Sequence, residues 1–309
     1  MSEDCRDCVV IGGGPAGLTA GIYAARARLD VMLLERIITG GQALVSDLIE
    51  NYPGFPEGVA GAELMEKMAR QAGRFELAVD YGEVLSVDFS GPVKRLVLAD
   101  KTILARTVII ATGAVPRKLG VAGEDKFQGR GISFCATCDA PFFRNQVVVA
   151  VGGGDTAVQE SLFLTKFAKK VYLVHRRDAL RAAKILQERA FANEKLEIVW
   201  DSVVTGIQGS GSVESVAVKN VKTGGQKDIA ASGCFVWIGI TPVTAFLGSA
   251  VSMDQAGFIQ TDDQRQTSVP GVFAAGDVRV TPLRQVATAV GDGAIAAFCA
   301  EQYLERVKS

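Results

Sequence analysis

Histidine is almost absent from this chain: one residue, His175, in 309. A single imidazole cannot readily supply a histidine-based catalytic triad or a multi-histidine metal centre, so His175 is read with its neighbours and not as a catalyst. No apolar run reaches the ~18–20 residues that span a bilayer, which argues against a membrane partner. Blocks of like charge are missing too. Lys+Arg number 33 against 34 Asp+Glu, for a formal net charge of −1, and no nucleic-acid footprint emerges. The opening residues, MSEDCRDC, carry acids and no apolar stretch, unlike a secretory signal. Six cysteines are few for a disulfide scaffold of this length, and in an intracellular chain close pairs lean towards redox or metal chemistry. The expectation is a soluble, cytoplasmic protein.

What is plentiful is glycine. Its 34 residues fall in discrete clusters, the pattern of backbone turns that approach something closely. Hydrophobic residues at 48% and charged residues at 22% suit a globular protein, and the length favours two domains over one.

The first cluster sits in CVVIGGGPAGLTAGIYAARARLDVMLLER. Val9 to Ile11 form a short apolar run, and Gly12, Gly14 and Gly17 follow as G-x-G-x-x-G. Leu18, Ile22 and Ala25 mark the apolar face of a helix, and Val31 to Leu34 run as a strand into Glu35. The glycines serve a tight turn, room for a pyrophosphate, and close helix–strand packing. The helix N-terminus offers its dipole and free N–H groups to phosphate. The pattern recurs in VVVAVGGGDTAVQESLFLTKFAKKVYLVHRR, with Gly152, Gly154 and Ala157 as G-x-G-x-x-A. The interval from Gly152 to His175 equals that from Gly12 to Glu35, so His175, Arg176 and Arg177 stand where the first copy has its acid, and His175 is expected on the rim they form. A carboxylate accepts hydrogen bonds from ribose hydroxyls and repels phosphate there, whereas arginines pair with a 2′-phosphate. The first copy is therefore expected to hold an unphosphorylated adenosine ribose, as in FAD or NAD, and the second NADPH. Arg181 is expected one helical turn beyond Arg177, within reach of the same phosphate.

Between the copies lie a second glycine turn, TGGQ (Gly40, Gly41, Gln42), an irregular loop IENYPGFPEG, a helix from Gly61 to about Phe75, and two or three strands. TVIIATGAVPR reads as a strand with a hinge at Pro116, and GCFVWIGITPVT as its counterpart with a hinge at Thr241–Pro242. TSVPGVFAAGDV is a buried strand ending at Asp277, an acid suited to grip a polyol and phosphate, and a long small-residue helix follows. The fold class expected is α/β, with two Rossmann-like dinucleotide-binding domains. One is discontinuous, residues 1–115 and 244–309, and the other, 116–243, is inserted in it.

FCATCDAPFF places Cys135 and Cys138 just before the second copy's first strand. A zinc site would need two further ligands. The only other such pair, Cys5–Cys8, lies at the start of the first strand, about 20 Å from the ligand end of its sheet. Cys8 reads as a half-buried packing residue, Cys5 as an exposed terminus, and Cys234 and Cys299 as core. Redox use explains the pair better: one thiolate of a CxxC is stabilised by neighbouring N–H groups, and Asp139 beside it is suited to deliver a proton. The alternative role for Asp139 is a helix N-cap ahead of APFF.

With GGGPAG, GGQ, ATG, CATCD, GGGDTAV, HRRDALR and GVFAAGDV…RQVATAVGDG together, the chain resembles the low-molecular-weight, bacterial-type thioredoxin reductases over nearly its whole length. The resemblance implies an FAD domain from the first and last segments, an NADPH domain in the middle, and a homodimer. It implies that Glu35, Gly41, Gln42, Asp277, Arg284 and Gln285 contact FAD, beside the turn residues Gly12, Gly14 and Gly17. Ala16, Gly40, Asn51, Thr112, Gly113, Gly276 and Val286 join that side. NADPH would be held by Gly152, Gly154, Asp155 and Thr156 with His175, Arg176, Arg177 and Arg181. Cys138 would face the flavin, Cys135 would attack the partner's disulfide, and Asp139 would be the acid. One departure is Ala140–Pro141 after that acid, where the family usually has glycine.

The implied route runs from NADPH through FAD to the Cys135–Cys138 disulfide, and then to thioredoxin or a thioredoxin-like protein. Nicotinamide and disulfide would take turns at the flavin by rotation about hinges at 113–117 and 240–244. A flavin dithiol oxidase that makes hydrogen peroxide without NADPH is the runner-up, and a non-enzymatic redox sensor is the alternative of another class.

Overall fold

The computed structural model describes residues 5–46, 49 and 51–308. The chain separates into two compact units, one made of residues 1–115 and 241–309 and the other of 116–240. Unit 1 begins with strand β1 (Cys5–Ile11), helix α1 (Pro15–Arg26), strand β2 (Val31–Glu35) and helix α2 (Gly61–Gly73). Strands β3 (Ala78–Tyr81), β4 (Ser86–Asp88), β5 (Lys94–Val97) and β6 (Thr102–Ile110) follow, and β7 (Ala114–Pro116) carries the chain out. Unit 2 runs through α3 (Glu124–Phe127), β8 (Ile132–Ser133), α4 (Ala136–Asp139), β9 (Val147–Gly152), α5 (Asp155–Leu164), β10 (Lys170–Val174), α6 (Lys184–Phe191) and β11 (Leu196–Val199). It ends with β12 (Ser202–Gln208), β13 (Ser215–Asn220), β14 (Gln226–Ala230) and β15 (Gly233–Trp237). The chain returns along β16 (Ile240–Pro242), which pairs with β7, and completes unit 1 with β17 (Val272–Ala274) and α7 (Val286–Lys308).

The two units repeat one plan. In unit 1 the strand order is β3-β2-β1-β6-β5-β4, and in unit 2 a five-stranded sheet runs β11-β10-β9-β15-β8. In each, the strand before the glycine turn lies between its successor and a strand from much later in the chain. β6 does double duty: its first half pairs antiparallel with β5, and Val108, Ile109 and Ile110 pair parallel with β17. The antiparallel sheet β12-β13-β14 belongs to unit 2.

Both central strands are covered on two faces, which is why they read as continuous apolar runs. Cys8 and Val10 belong to a core with α1, α2 and α7, whereas Val9 and Ile11 point into a second core on the other side of the sheet. β9 divides in the same way, Val149 and Val151 to one face, Val148 and Ala150 to the other. Helix α1 starts with Pro15, tolerated where the first N–H has no intrahelical partner, and is buried along Gly17, Ala20, Gly21 and Ala24. Small side chains there let α7 pack closely onto it.

Several local expectations are corrected. β1 begins at Cys5, before the apolar run, because Cys5 and Arg6 already pair with Leu104 and Ala105 of β6. Cys8 is therefore fully buried, between Val31 and Thr107, and Cys5 is half-buried. The return crossing falls at 240/241, ahead of the 243 expected, because the Val243 N–H already donates to the Gly113 carbonyl at 3.0 Å in unit 1. Among the described residues no helix is long and apolar enough to cross a membrane.

Candidate functional site

Unit 1 opens a cavity of ≈ 410 Å³ at the carboxyl ends of β1, β2 and β6, where a doubly wound sheet receives its ligands. A Cβ on Gly17 would run into the Gly12 carbonyl oxygen, so α1 can start this close to β1 only with glycine there. The first turn of α1 has no side-chain cap and no acidic residue. Its N–H groups and positive dipole end are left for an anion. Glu35 closes the end of β2. Its Oε2 accepts the Gly13 N–H at 2.7 Å and its Oε1 accepts the Ile37 N–H at 3.1 Å. Each oxygen keeps a lone pair, so the carboxylate can still accept from hydroxyls.

Gly12, Gly14, Ala16, Glu35, Gly41 and Gln42 line this cavity from the first part of the chain. Thr112, Gly113, Gly276, Asp277, Arg284, Gln285 and Val286 line it from β6 onward. Asp277 stands in a tight turn past β17 and not at the strand's end. Burial pushes its carboxyl up, Arg284 pulls it back down, and Asp292 adds to the rise. The Arg284 guanidinium lies 4.2 Å from the centroid of the Phe258 ring, which fixes its plane. Three expected residues do not line the cavity. Gly17 serves packing, the Gly40 N–H donates to the Gly13 carbonyl at 2.7 Å, and Asn51 is tied in through its amide, which donates to Gln285 Oε1 at 2.9 Å. Gly82, Glu83 and Val84 line the cavity with no motif to announce them. They arrive because β3 pairs with β2, Glu35 opposite Tyr81, and the Gly82 N–H donates to the Glu35 carbonyl at 2.9 Å.

In unit 2 the second glycine turn joins β9 to α5. Here His175 is not on a rim: it is buried, its ring lies directly under Gly153, and a Cβ there would collide with it. His175 Nε2 lies 3.0 Å from the Ala179 carbonyl, an acceptor, so this nitrogen carries the proton. Arg181 is not a helical turn beyond Arg177. Residues 176–183 form a loop, stapled to the glycine turn by the Arg181 N–H donating to the Gly153 carbonyl at 2.7 Å and the Ala183 N–H donating to Asp155 Oδ1 at 2.6 Å. Gly152 and Gly154 belong to the turn, and Thr156, in the first turn of α5, is exposed. Arg176, Arg177 and Arg181 are exposed, and among the described residues none of their guanidiniums has an ion-pair partner. The loop that bears these three cations is thus held against the start of α5 through Arg181 and Ala183.

The same unit carries the cysteine pair. Cys135 is disulfide-bonded. The Ser133 hydroxyl brackets it, accepting its N–H and donating to its carbonyl, both at 3.0 Å, and the Trp237 indole N–H donates to the Phe134 carbonyl at 3.1 Å. The Asp139 N–H returns to the Cys135 carbonyl at 3.3 Å, closing the single turn α4. Cys138 lies in α4, and its side chain is outside the described residues. Asp139 occupies the N-cap position of the following turn, Ala140–Phe143, but its side chain makes no capping bond. Cys5, Cys8, Cys234 and Cys299 are free, and burial pushes the thiols of Cys8 and Cys234 up to about 12, so both are inert near neutral pH.

Sequence reasoning missed Glu160. This α5 residue accepts the Ala136 N–H, next to Cys135, and burial raises its carboxyl above the ordinary value while that hydrogen bond opposes the rise. A carboxyl raised in the folded state favours folding when protonated, and its contribution is lost as pH rises from about 4.5, the ordinary glutamate value, through the folded value. Glu160→Gln is therefore expected to melt increasingly above the parent protein as pH rises from about 4.5 through the folded value, with a level gap beyond it, read by thermal denaturation across pH. A gap that stays constant or shrinks over that rise would count against it.

The chain matches the pyridine nucleotide-disulphide oxidoreductase family over residues 6–293. It is 46% identical over 311 aligned residues to the thioredoxin reductase of Peptoclostridium litorale, covering 99% of each chain. To that of Listeria innocua it is 45% identical, covering 99% of this chain and 96% of the relative. The crystal structure of Lactococcus lactis thioredoxin reductase superposes with a TM-score of 0.90 at 45% identity, covering 97% of this chain and 99% of that one.

Proposed function

The chain belongs to the pyridine nucleotide-disulphide oxidoreductase family, and from that premise we propose that it is an NADPH-dependent thioredoxin reductase. The supporting observation lies in unit 2, where a disulfide-bonded Cys135 shares one compact body with a dinucleotide turn and three exposed arginines. The curated relatives and the solved structure it resembles carry the name thioredoxin reductase.

The cavity of unit 1 fits FAD by the chemistry of its donors and acceptors. The uncapped start of α1 would take the pyrophosphate, Glu35 the adenosine ribose, and Asp277, Arg284 and Gln285 the polyol and ring side. FAD supplies two-electron chemistry that links a hydride donor to a disulfide. The remaining work falls to the chain itself. Arg176, Arg177 and Arg181 hold the 2′-phosphate of NADPH, Asp155 and Thr156 set the start of α5, and the buried His175 props the turn from below. Two electrons and two protons open the Cys135–Cys138 disulfide to a dithiol. The Cys135 thiol passes its proton to Asp139, and the resulting thiolate attacks a sulfur of oxidised thioredoxin and expels the other as a thiolate, which takes that proton from Asp139. Cys138, as thiolate, displaces the resulting mixed disulfide, releasing reduced thioredoxin and restoring the pair. The two units alternate between these tasks by rotation about the paired crossing strands β7 and β16.

A homodimer is consistent with apolar side chains exposed on α7, Ile295 and Phe298 one turn apart. Free thiols suit a cytoplasmic setting. No feature favours the dithiol oxidase, which leaves the arginine loop without a use. The deciding experiment mixes purified protein with NADPH and oxidised thioredoxin and follows NADPH loss. Consumption that depends on thioredoxin is expected. Oxygen uptake on a dithiol without NADPH would overturn the reading.

A further inference from the structure

Asp292 is a charged residue buried in unit 1, 7% exposed, that does not line the cavity. It stands on α7, and its two carboxylate oxygens serve different segments. Oδ1 accepts Arg265 Nε at 2.7 Å, and Oδ2 accepts both Arg279 Nη1 and the Gly276 N–H at 3.1 Å. Arg265 Nη1 donates onward to the Asp263 carbonyl at 2.6 Å, and Arg279 Nε donates to Thr261 Oγ1 at 2.8 Å. One carboxylate thus gathers residues 261–265, the 276–279 turn and α7. That turn carries Asp277 into the cavity. A Cβ on Gly276 would come within 2.9 Å of Ala16 Cβ, and one on Gly293, beside Asp292, would strike the Ala16 carbonyl oxygen. The returning chain is pressed here against the first turn of α1, whose N–H groups face the same cavity.

We propose that Asp292 is the positioning residue of the flavin site: by holding the Gly276 N–H it sets the Asp277 turn against the α1 N-terminus, so that the two form one grip on a dinucleotide. This rests on reading unit 1 as the FAD site. An ion cluster serving stability alone would have no reason to spend an oxygen on that one backbone N–H. An amide cannot take the carboxylate's place, because asparagine has one acceptor oxygen and two donors. Whichever way it turns, its NH₂ faces either Arg265 or the Gly276–Arg279 pair. Arg265→Gln, in contrast, disturbs only the side remote from the turn.

The experiment titrates FAD into apoprotein of wild type, Asp292→Asn and Arg265→Gln, with folded fraction checked by circular dichroism and binding read by flavin fluorescence. Asp292→Asn is expected to lose FAD affinity by about ten- to a hundredfold, the scale of one charge-assisted hydrogen bond. Arg265→Gln should melt earlier yet bind FAD within about threefold of wild type, a shift too small for such a bond. Equal losses in both variants would reduce Asp292 to a structural ion, and unchanged affinity in Asp292→Asn would overturn the inference outright. If Asp292→Asn does not fold, Arg279→Gln, which frees the same oxygen on one side only, is to show an intermediate loss, and wild-type affinity there overturns the inference too. Wild-type apoprotein that takes up no FAD would overturn the flavin reading itself, an outcome distinct from the others.

Discussion

Cys138→Ser is expected to abolish NADPH-driven reduction of thioredoxin while leaving NADPH able to bleach the flavin. The two halves of that result draw on different groups of residues. In the proposed relay, flavin reduction uses the unit 1 cavity and the unit 2 arginine loop, whereas Cys138 stands in α4. Passage of electrons to a protein disulfide needs two sulfurs, because the mixed disulfide on Cys135 is released only when a second thiolate displaces it. A serine hydroxyl is far too weak an acid to be that nucleophile near neutral pH. Loss of an essential nucleophile costs roughly a thousandfold or more in kcat. None of the free cysteines can substitute: Cys8 and Cys234 are buried with thiols held at about 12, and burial also raises Cys5 and Cys299. Stopped-flow flavin absorbance and steady-state thioredoxin turnover separate the two halves. A variant that turns over at a tenth of the parent rate would refute the relay.

Removing the three arginines is expected to convert the enzyme from one that prefers NADPH to one that does not. Arg176, Arg177 and Arg181 are exposed and have no ion-pair partner among the described residues, and their loop is held by backbone N–H bonds to Gly153 and Asp155 that glutamine substitutions leave in place. The loop should therefore keep its course when the charges go. A charge-assisted bond to phosphate contributes about 1.5–3 kcal/mol, less where water screens it, so each single substitution should raise the KM for NADPH by about five- to thirtyfold. The KM for NADH, which lacks the 2′-phosphate, and kcat should stay close to those of the parent. The three guanidiniums are expected to share one phosphate, so the triple variant loses less than the product of the singles. Equal rises in KM for NADPH and NADH would assign the arginines to folding, not to recognition.

Both predictions use residues that could be singled out along the chain, and the reason is locality. A glycine turn, its flanking strand and helix, and the residue at the end of the next strand occupy one short stretch, so Glu35 and His175 stood out by position alone. The CxxC pair and the basic tripeptide are equally contiguous. Their surroundings were another matter. The pattern placed His175 on a rim, whereas packing turned the ring inward beneath Gly153; it made Arg181 a helical neighbour of Arg177, whereas a backbone bond to Gly153 delivers it by a loop.

The sequence by itself determined that two dinucleotide turns exist, that they differ in the charge offered to a ribose, and that a redox pair accompanies the second. Tertiary structure alone decided that Gly82 to Val84 join the first cavity, that Glu160 meets the backbone beside Cys135, and that Asp292 ties the 276–279 turn to α7. The physical reason is that these contacts depend on strand register and helix packing between segments far apart in the chain. Backbone conformation and side-chain period are written over a few residues, while register is settled only when whole faces are buried together.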